Sequence, residues 1–324
     1  MHEIQKKVNA LSEKIDELRN EIKKQLTKKQ ITFAPDDSLR KLIRLIPKKT
    51  LIISPIQLNI SRIGHTAINV NDGVLFSGGN NLTSQQLYNV NTNTFTTKAN
   101  LNPGRREHSG IDVNYNVVLL NGGFPNGGSI QQLYNINSNT FTTKANLNPG
   151  RYCHTTININ GVILISGGHM TNTVQQTYDL NSNTFTAKAN LNPGRLVHTS
   201  ITINNGALIS FGNGSSTHNT QQFYNLNSNT FTSKANSSTN RMEHAVAKVD
   251  DSILFSGGGN GGYLNLHQLY NINSNTFTNK ANLNPPRNWH KSVNVKNNIL
   301  LSGGNNAPNV HESYILNQNK FYRA

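Results

Sequence analysis

The chain has 324 residues, of which 35% are hydrophobic and 14% are charged, and its 30 Lys and Arg residues against 15 Asp and Glu give a formal net charge of +15. Such a one-sided charge favours anionic partners. A single cysteine, Cys153, excludes an intrachain disulfide and a thiolate metal cluster. No stretch approaches the roughly 18 apolar residues of a membrane span, and residues 1–25 lack the apolar core of a signal peptide. We therefore expect a soluble protein without a membrane partner.

Residues 1–25 carry a heptad pattern, with alternating steps of four and three between apolar residues. The pattern consists of Ile4, Val8, Leu11, Ile15, Leu18 and Ile22. Such a narrow apolar stripe cannot be buried on a single helix, so it predicts a coiled coil that holds the protein as a homo-oligomer, either a dimer or a trimer. The alternative is an amphipathic helix that lies on the rest of the fold.

Residues 26–50 form a short basic segment. Pro35 and residues 36–38 give a turn and a helix-start signal, and a short Leu/Ile helix that ends at Pro47 is predicted after them. The Leu-Thr-x-Lys lead, the extended piece, the Pro-Asp turn and the short helix resemble a small module near the N-termini of phage tail and tail-fibre proteins. The resemblance implies a docking module, through which residues 1–50 bind tail or baseplate proteins.

From residue 62 onward the sequence is one unit repeated six times. Each copy has an Arg-x-x-His motif, an apolar run that ends in Gly-Gly (Phe-Gly in the fourth copy), and a Tyr seven residues before a Phe. The spacing of the motifs, 43 to 46 residues, predicts a propeller blade of four strands. In the third copy the strands are predicted at 154–159, 161–166, 174–180 and 184–189.

The glycine pair, and the Tyr followed by an aromatic residue seven positions later, resemble kelch repeats, with Phe where the family has Trp. The resemblance covers the chain from residue 62 to its end. It implies an all-β fold, a six-bladed kelch-like β-propeller over residues 51–324, preceded by the α-helical coiled coil and the docking module. Because the last copy stops soon after Phe321, residues 52–58 are predicted to add a closing strand to the sixth blade.

The repeats differ most in the loops between the second and third strands of each blade. These loops and the crossovers between blades lie on one face, and variation confined to one face usually marks a binding surface. Arginine forks suit carboxylates and phosphates, and aromatic faces suit sugar rings. The candidate receptor-binding residues are Arg105, Arg106, Phe124, Arg151, Tyr152, His169, Arg195, Arg241, Tyr263, Arg287 and Trp289.

The repeated motif also has a structural interpretation, in which it does not bind a receptor. The arginine of each Arg-x-x-His motif would then bond carbonyl groups of the neighbouring blade, and the histidines would be buried hydrogen-bonding links. A further alternative is a metal or pH-sensitive site at histidines in or beside the variable loops, namely His169, His218, His267 and His311.

An enzymatic activity is not expected. A hydrolase that uses paired carboxylates needs them within roughly 5–10 Å, and Glu107 and Glu243 belong to blades two and five, on opposite sides of the ring. No G-x-S-x-G motif occurs. We therefore predict no catalytic residue, no cofactor and no metal. The basic residues are spread round the ring and no nucleic-acid-binding motif occurs, so no nucleic-acid partner is predicted.

The order of the parts predicts an attachment protein of a phage tail or tail-like particle, assembled in the host cytoplasm. Residues 1–50 would anchor it to the particle, and several propellers on one stalk would bind a host cell-surface polymer or surface protein with high avidity. Two alternatives are a structural baseplate or connector subunit, whose propeller binds other tail proteins, and a kelch-type enzyme or intracellular scaffold.

Overall fold

The computed structural model describes residues 13–24, 27, 55–71, 73–114, 116–126, 128–295 and 298–323. The chain divides into two compact units, Met1–Thr50 and Leu51–Ala324. Across the described ranges, no helix is both long and apolar enough to cross a membrane.

One helix, α1, spans residues 13–24 in the first unit. Of its three heptad positions, Ile15 and Leu18 are 39% and 51% exposed, whereas Ile22 is buried. The other heptad residues, Ile4, Val8 and Leu11, lie outside the described residues, as does the docking module apart from Thr27. The coiled coil and the docking module therefore stay predictions.

The second unit is a six-bladed β-propeller, and each blade is a four-stranded antiparallel sheet with strands in chain order. The blades are Thr66–Val70 (β1), Gly73–Ser77 (β2), Gln85–Asn89 (β3) and Thr94–Lys98 (β4); Ser109–Asp112 (β5), Val117–Asn121 (β6), Gln131–Asn135 (β7) and Thr140–Thr143 (β8); Thr155–Ile159 (β9), Val162–Ser166 (β10), Gln175–Asp179 (β11) and Thr184–Ala187 (β12); Thr199–Ile203 (β13), Gly206–Ser210 (β14), Gln221–Asn225 (β15) and Thr230–Lys234 (β16); Ala245–Val249 (β17), Ser252–Ser256 (β18), His267–Asn271 (β19) and Thr276–Asn279 (β20); Lys291–Val295 (β21), Asn298–Ser302 (β22), His311–Ile315 (β23) and Lys320–Tyr322 (β24).

The strands predicted for the third blade are confirmed, with ends that differ by at most two residues. The first strand of every blade contacts the first strands of both neighbouring blades, so β1, β5, β9, β13, β17 and β21 surround the axis. The second strands are almost fully buried, as expected for apolar strands covered on both faces. The outer strands are mostly exposed.

Apolar side chains from adjacent blades pack into shared clusters. In the cluster that joins the last blade to the first, Leu300 packs with Val74 and Phe76, and Leu58 belongs to the same cluster. Each interface therefore buries apolar surface from two blades, which stabilises the closed ring more than separate blades.

Residues 55–58 link the first and sixth blades, but as a crossover and not as a strand. They have no regular secondary structure, and 51–54 lie outside the described residues. The Ile56 N–H donates to Oδ1 of Asn93 in the first blade at 3.0 Å, and the Leu58 N–H donates to the Asn309 carbonyl in the sixth blade at 3.0 Å. The outer strand of the sixth blade is β24, from the C-terminus, so the predicted closing strand at 52–58 is corrected in the described part.

Asparagines in the turns before the outer strands also join neighbouring blades. The Tyr134 hydroxyl donates to Oδ1 of Asn139 at 2.6 Å, and the same oxygen accepts the N–H of Ala99, from the preceding blade, at 2.7 Å. Asn139 has a φ of 59°, a conformation that asparagine tolerates well. The repeated Asn-rich turns are therefore joints of the fold.

Candidate functional site

The arginines of the repeated motif lie inside the propeller. All six are at most 1% exposed, namely Arg62, Arg105, Arg151, Arg195, Arg241 and Arg287. Burial lowers the pKa of Arg195 to about 10, which leaves it charged at neutral pH. The prediction that Arg105, Arg151, Arg195, Arg241 and Arg287 contact a receptor is therefore corrected, because no surface of these side chains faces solvent.

Arg195 illustrates what a buried arginine does. Its Nη1 donates to the carbonyl oxygens of Phe211 at 2.6 Å and Thr220 at 3.1 Å, which flank the variable loop of the same blade. Its own carbonyl accepts the N–H of Gly168, from the preceding blade, at 2.9 Å. The side chain thus organises the loop of its own blade, and the backbone makes the link to the neighbour.

The histidines of the motif are buried links, as the structural interpretation predicted. Nε2 of His198 lies 3.1 Å from the Thr155 hydroxyl, and Nε2 of His244 lies 2.7 Å from the Thr199 hydroxyl, each in the preceding blade. Burial lowers the pKa of His198 to about 3 and that of His244 well below 6.5. These imidazoles are therefore neutral at physiological pH.

Four of the predicted receptor-binding residues come together on the variable face. The Arg106 guanidinium lies 4.8 Å from the centre of the Phe124 ring. The Phe124 ring lies 5.4 Å from that of Tyr152, which stacks on His169 at 4.5 Å and 15° between planes. We call Arg106, Phe124, Tyr152 and His169 the aromatic row; it crosses from blade two to blade three.

One other predicted residue lies elsewhere on this face. Tyr263 is 50% exposed in the variable loop of blade five, and no ring contact joins it to the aromatic row in the described part of the chain. Met170, which the sequence analysis did not select, is 82% exposed and follows His169 directly. The aromatic row with Met170 is therefore a partly apolar surface on one side of the face.

The residue before each motif histidine belongs to a closed ring around the axis. Each N–H of the ring donates to the carbonyl of the equivalent residue in the preceding blade, at 2.7–3.3 Å. All six residues have positive φ, between 47° and 65°. They are Gly64, Glu107, Cys153, Val197, Glu243 and Trp289, and we call them the axial ring. It links all six blades with backbone hydrogen bonds.

The axial ring carries two carboxylates. Glu107 accepts from Arg106 Nε at 3.0 Å and from Cys153 Sγ at 3.3 Å. Glu243 accepts from the Asn288 amide. Burial raises the pKa of Glu243 to about 7, and the charge of Glu107 adds to the rise. Although the two residues come from opposite blades, both reach the axis, so the argument that kept them apart is wrong.

Apart from Trp289, no residue of the axial ring was predicted as a site residue. Alignment of the six repeats on their Arg-x-x-His motifs puts these residues in one column, directly before the histidine. That column contains Gly, Glu, Cys, Val, Glu and Trp, whereas the flanking Arg and His do not vary. Variation at a position next to invariant residues was the signal available.

Glu243 makes stability depend on pH. The pKa of its carboxyl is about 7 in the folded protein, against an ordinary 4.5. The contribution of the protonated Glu243 to the free energy of unfolding is therefore fully present below pH 4.5 and is lost as the pH rises through 7. Relative to Glu243→Gln, we expect the free energy of unfolding of the wild type to fall by about 1–2 kcal/mol from near pH 5 to near pH 8. Urea unfolding of both proteins measures this difference; a difference that does not vary with pH contradicts the placement of the carboxyl.

Two of the four histidines expected in or beside the variable loops lie beside them, at the starts of the next strands. His267 and His311 begin β19 and β23 and are fully buried, and Nδ1 of His267 lies 3.0 Å from the Ala281 carbonyl. Within the described ranges, no group of three or more His, Cys, Asp or Glu side chains has an arrangement that could hold a metal ion.

No protein-family model and no curated protein matches the chain. Among solved structures, that of YjhT is similar, with a TM-score of 0.72 and 13% sequence identity over 82% of this chain and 98% of that chain. At this identity the likeness shows the fold alone. The six four-stranded sheets of the second unit and the similarity to YjhT both indicate that this unit is a six-bladed β-propeller.

Proposed function

We propose that the protein is a non-enzymatic attachment protein of a phage tail or tail-like particle, with a kelch-type propeller as its receptor-binding head. The observation that carries the proposal is the aromatic row on the variable face. Stacked rings with an arginine at one end offer apolar contact to sugar rings and a charge to an acidic group. The receptor class is a host cell-surface polymer or a surface protein.

The anchoring part of the proposal depends on residues 1–50. The exposed Ile15 and Leu18 of α1 are separated by one heptad step and leave apolar surface for a second copy of the helix. With several propellers on one particle, weak contacts at each aromatic row add up to strong binding on a repetitive surface.

Binding to intact envelopes tests the receptor role. We expect the full-length protein to sediment with envelopes of a susceptible bacterial host, more strongly at low than at moderate salt, because the chain carries a net charge of +15. Failure to bind any host envelope, together with capture by purified tail particles through the propeller, would instead favour a baseplate or connector subunit.

Self-association through α1 is expected to depend on its apolar positions. The double variant Ile15→Asp, Leu18→Asp places two charges in the predicted seam, so we expect a monomer in size-exclusion chromatography with light scattering. Envelope binding should weaken by about 10²–10⁴ as avidity is lost. Glu17→Gln on the same helix is the matched control and should stay oligomeric; an oligomeric double variant contradicts the coiled coil.

A catalytic function at the axial ring is a second candidate. It is favoured by one observation: Glu107 and Glu243 meet there, and the pKa of Glu243 is raised to about 7, which suits a general acid. The test is release of reducing sugar ends from host envelopes. Release by the wild type and not by Glu243→Gln supports an enzyme, whereas binding without release supports the attachment role.

A further inference from the structure

A single lysine occupies the axis beneath the axial ring. The first residues of the six inner strands are Thr66, Ser109, Thr155, Thr199, Ala245 and Lys291. Five of these side chains are small, so they leave space at the axis, and the long side chain of Lys291 enters that space beside Ala245. The other five blades have a small residue at this position, so the packing of the blades does not require a lysine there.

The space is a cavity of about 230 Å³. Its lining residues with hydroxyl groups are Thr66, Ser109, Thr155, Thr156, Thr199, Ser200 and Ser292. The hydroxyls of Thr66, Thr155 and Thr199 also lie within hydrogen-bond distance of Nε2 of a motif histidine. Lys291 is its only charged lining residue, because burial keeps the lining histidines neutral. The cavity is thus a polar space with one positive charge.

No side-chain hydrogen bond or ion pair joins the Lys291 ammonium to any residue that the structure describes. Lys291 also lines a smaller pocket with Glu107 and Glu243 on the side of the axial ring, where Glu107 already accepts from Arg106 and Cys153. The buried Ser292 hydroxyl, next to Lys291 in β21, also has no hydrogen-bond partner among the described residues. Both groups therefore present donors to the cavity.

Further along the axis, the fourth residues of the inner strands form a polar belt. Asn294 donates to the Lys248 carbonyl at 2.9 Å, and Asn69 donates to the Asn294 carbonyl at 3.0 Å. The belt has one acid, Asp112, and one base, Lys248. Asn69 and Lys248 are exposed, so this end of the belt faces solvent.

We propose that the axial cavity binds a small oxyanion, such as a phosphate, sulfate or carboxylate group, through the Lys291 ammonium and the surrounding hydroxyls. An unpaired ammonium in a partly desolvated space gains most from an anionic partner. Hydroxyl groups then donate to the remaining anion oxygens. Burial lowers the pKa of Lys291, and a bound anion would raise it again. This site is independent of the receptor-binding proposal.

The test uses inorganic sulfate and phosphate on the full chain. We expect either anion to raise the thermal midpoint of the wild type beyond the effect of chloride at the same ionic strength, with saturation in calorimetric titration. Lys291→Met should weaken anion affinity at least about tenfold. Lys248→Met removes an exposed lysine from the belt at the same axis and should keep the wild-type affinity.

A second readout reports on the lysine itself. Acetylation of Lys291 by acetic anhydride, followed by mass spectrometry, should slow several-fold when sulfate is present, while acetylation of Lys248 should not change. Wild-type protein without anion-specific stabilisation, or Lys291→Met with unchanged affinity, overturns the proposal. If Lys291→Met fails to fold, anion affinity is measured on Lys291→Gln, which keeps a polar side chain of similar length. Unchanged affinity of that variant also overturns the proposal.

Discussion

Replacement of Arg195 by alanine is expected to lower the free energy of unfolding by about 3–5 kcal/mol. The variant loses charge-assisted hydrogen bonds to the Phe211 and Thr220 carbonyls, and the Thr220 carbonyl keeps only the N–H of Phe211 as a donor. It also leaves a cavity where a fully buried side chain stood. Urea unfolding, followed by circular dichroism, measures the loss.

The matched control is Arg106→Ala on the same face. The Arg106 side chain is 34% exposed and pairs with Glu107 at 3.0 Å, so its removal should cost less than about 1 kcal/mol. Arg195→Lys should recover only part of the loss, because an ammonium cannot reproduce the planar fork. Equal stability of Arg195→Ala and wild type would show that the buried arginines do not support the blades.

Replacement of Tyr152 by alanine is expected to weaken envelope binding about 10- to 30-fold, since aromatic anchors dominate binding energy at interfaces. Tyr152 is the central member of the aromatic row, in contact with Phe124 on one side and His169 on the other. Because it is only half-buried, the free energy of unfolding should change by about 1 kcal/mol or less. Co-sedimentation with envelopes over a range of protein concentrations measures the affinity.

Val162→Ala is the matched control for this prediction. Val162 is 37% exposed, like Phe124, but it follows the turn between β9 and β10 at the opposite face of the propeller. Its replacement should leave binding unchanged, and Tyr152→Phe should keep most of the affinity because it keeps the ring. Unchanged binding by Tyr152→Ala would remove the aromatic row from the proposed receptor site.

The blades were predictable because their signals are local. An apolar run before a glycine pair and an Asn-rich turn before a Thr-Phe pair specify strands and turns within one repeat. Each of the two pairs occurs in five of the six copies, so the copies confirm one another. Gly167 and Gly168, with φ of 59° and 104°, illustrate the constraint: a Cβ on Gly168 would lie 2.8 Å from the Tyr152 carbonyl oxygen. Positions of this kind can be identified from the sequence alone.

The closing segment was predictable only in part. Residues 52–58 lie at the spacing of a strand end, and the described residues 55–58 do occupy the crossover into the first blade. Whether they form a strand depends on the partner available at the edge of the sixth blade. The C-terminal strand β24 already fills that edge, and no local pattern near residue 55 reports this.

The aromatic row was selected by residue type, and its members meet because neighbouring blades bring successive loops side by side. The same selection failed for the arginines, since a charged residue next to a variable loop can point to solvent or into the blade. Carbonyl oxygens that accept from the guanidinium inside the blade, such as those of Phe211 and Thr220, decide the direction. These acceptors appear only when the loop has its folded shape.

By itself, the sequence determined a protein of six repeated blades, their strands and turns, and a face where the repeats differ, because these depend on short-range periodicity. Only the tertiary structure decided that the arginines are buried, and that Glu107, Glu243 and Lys291 line one pocket at the axis. Those residues are about 45 to 185 positions apart in the chain. They come together because ring closure points the positions on either side of the motif histidine in every blade at a common axis, and closure is a property of all six blades together.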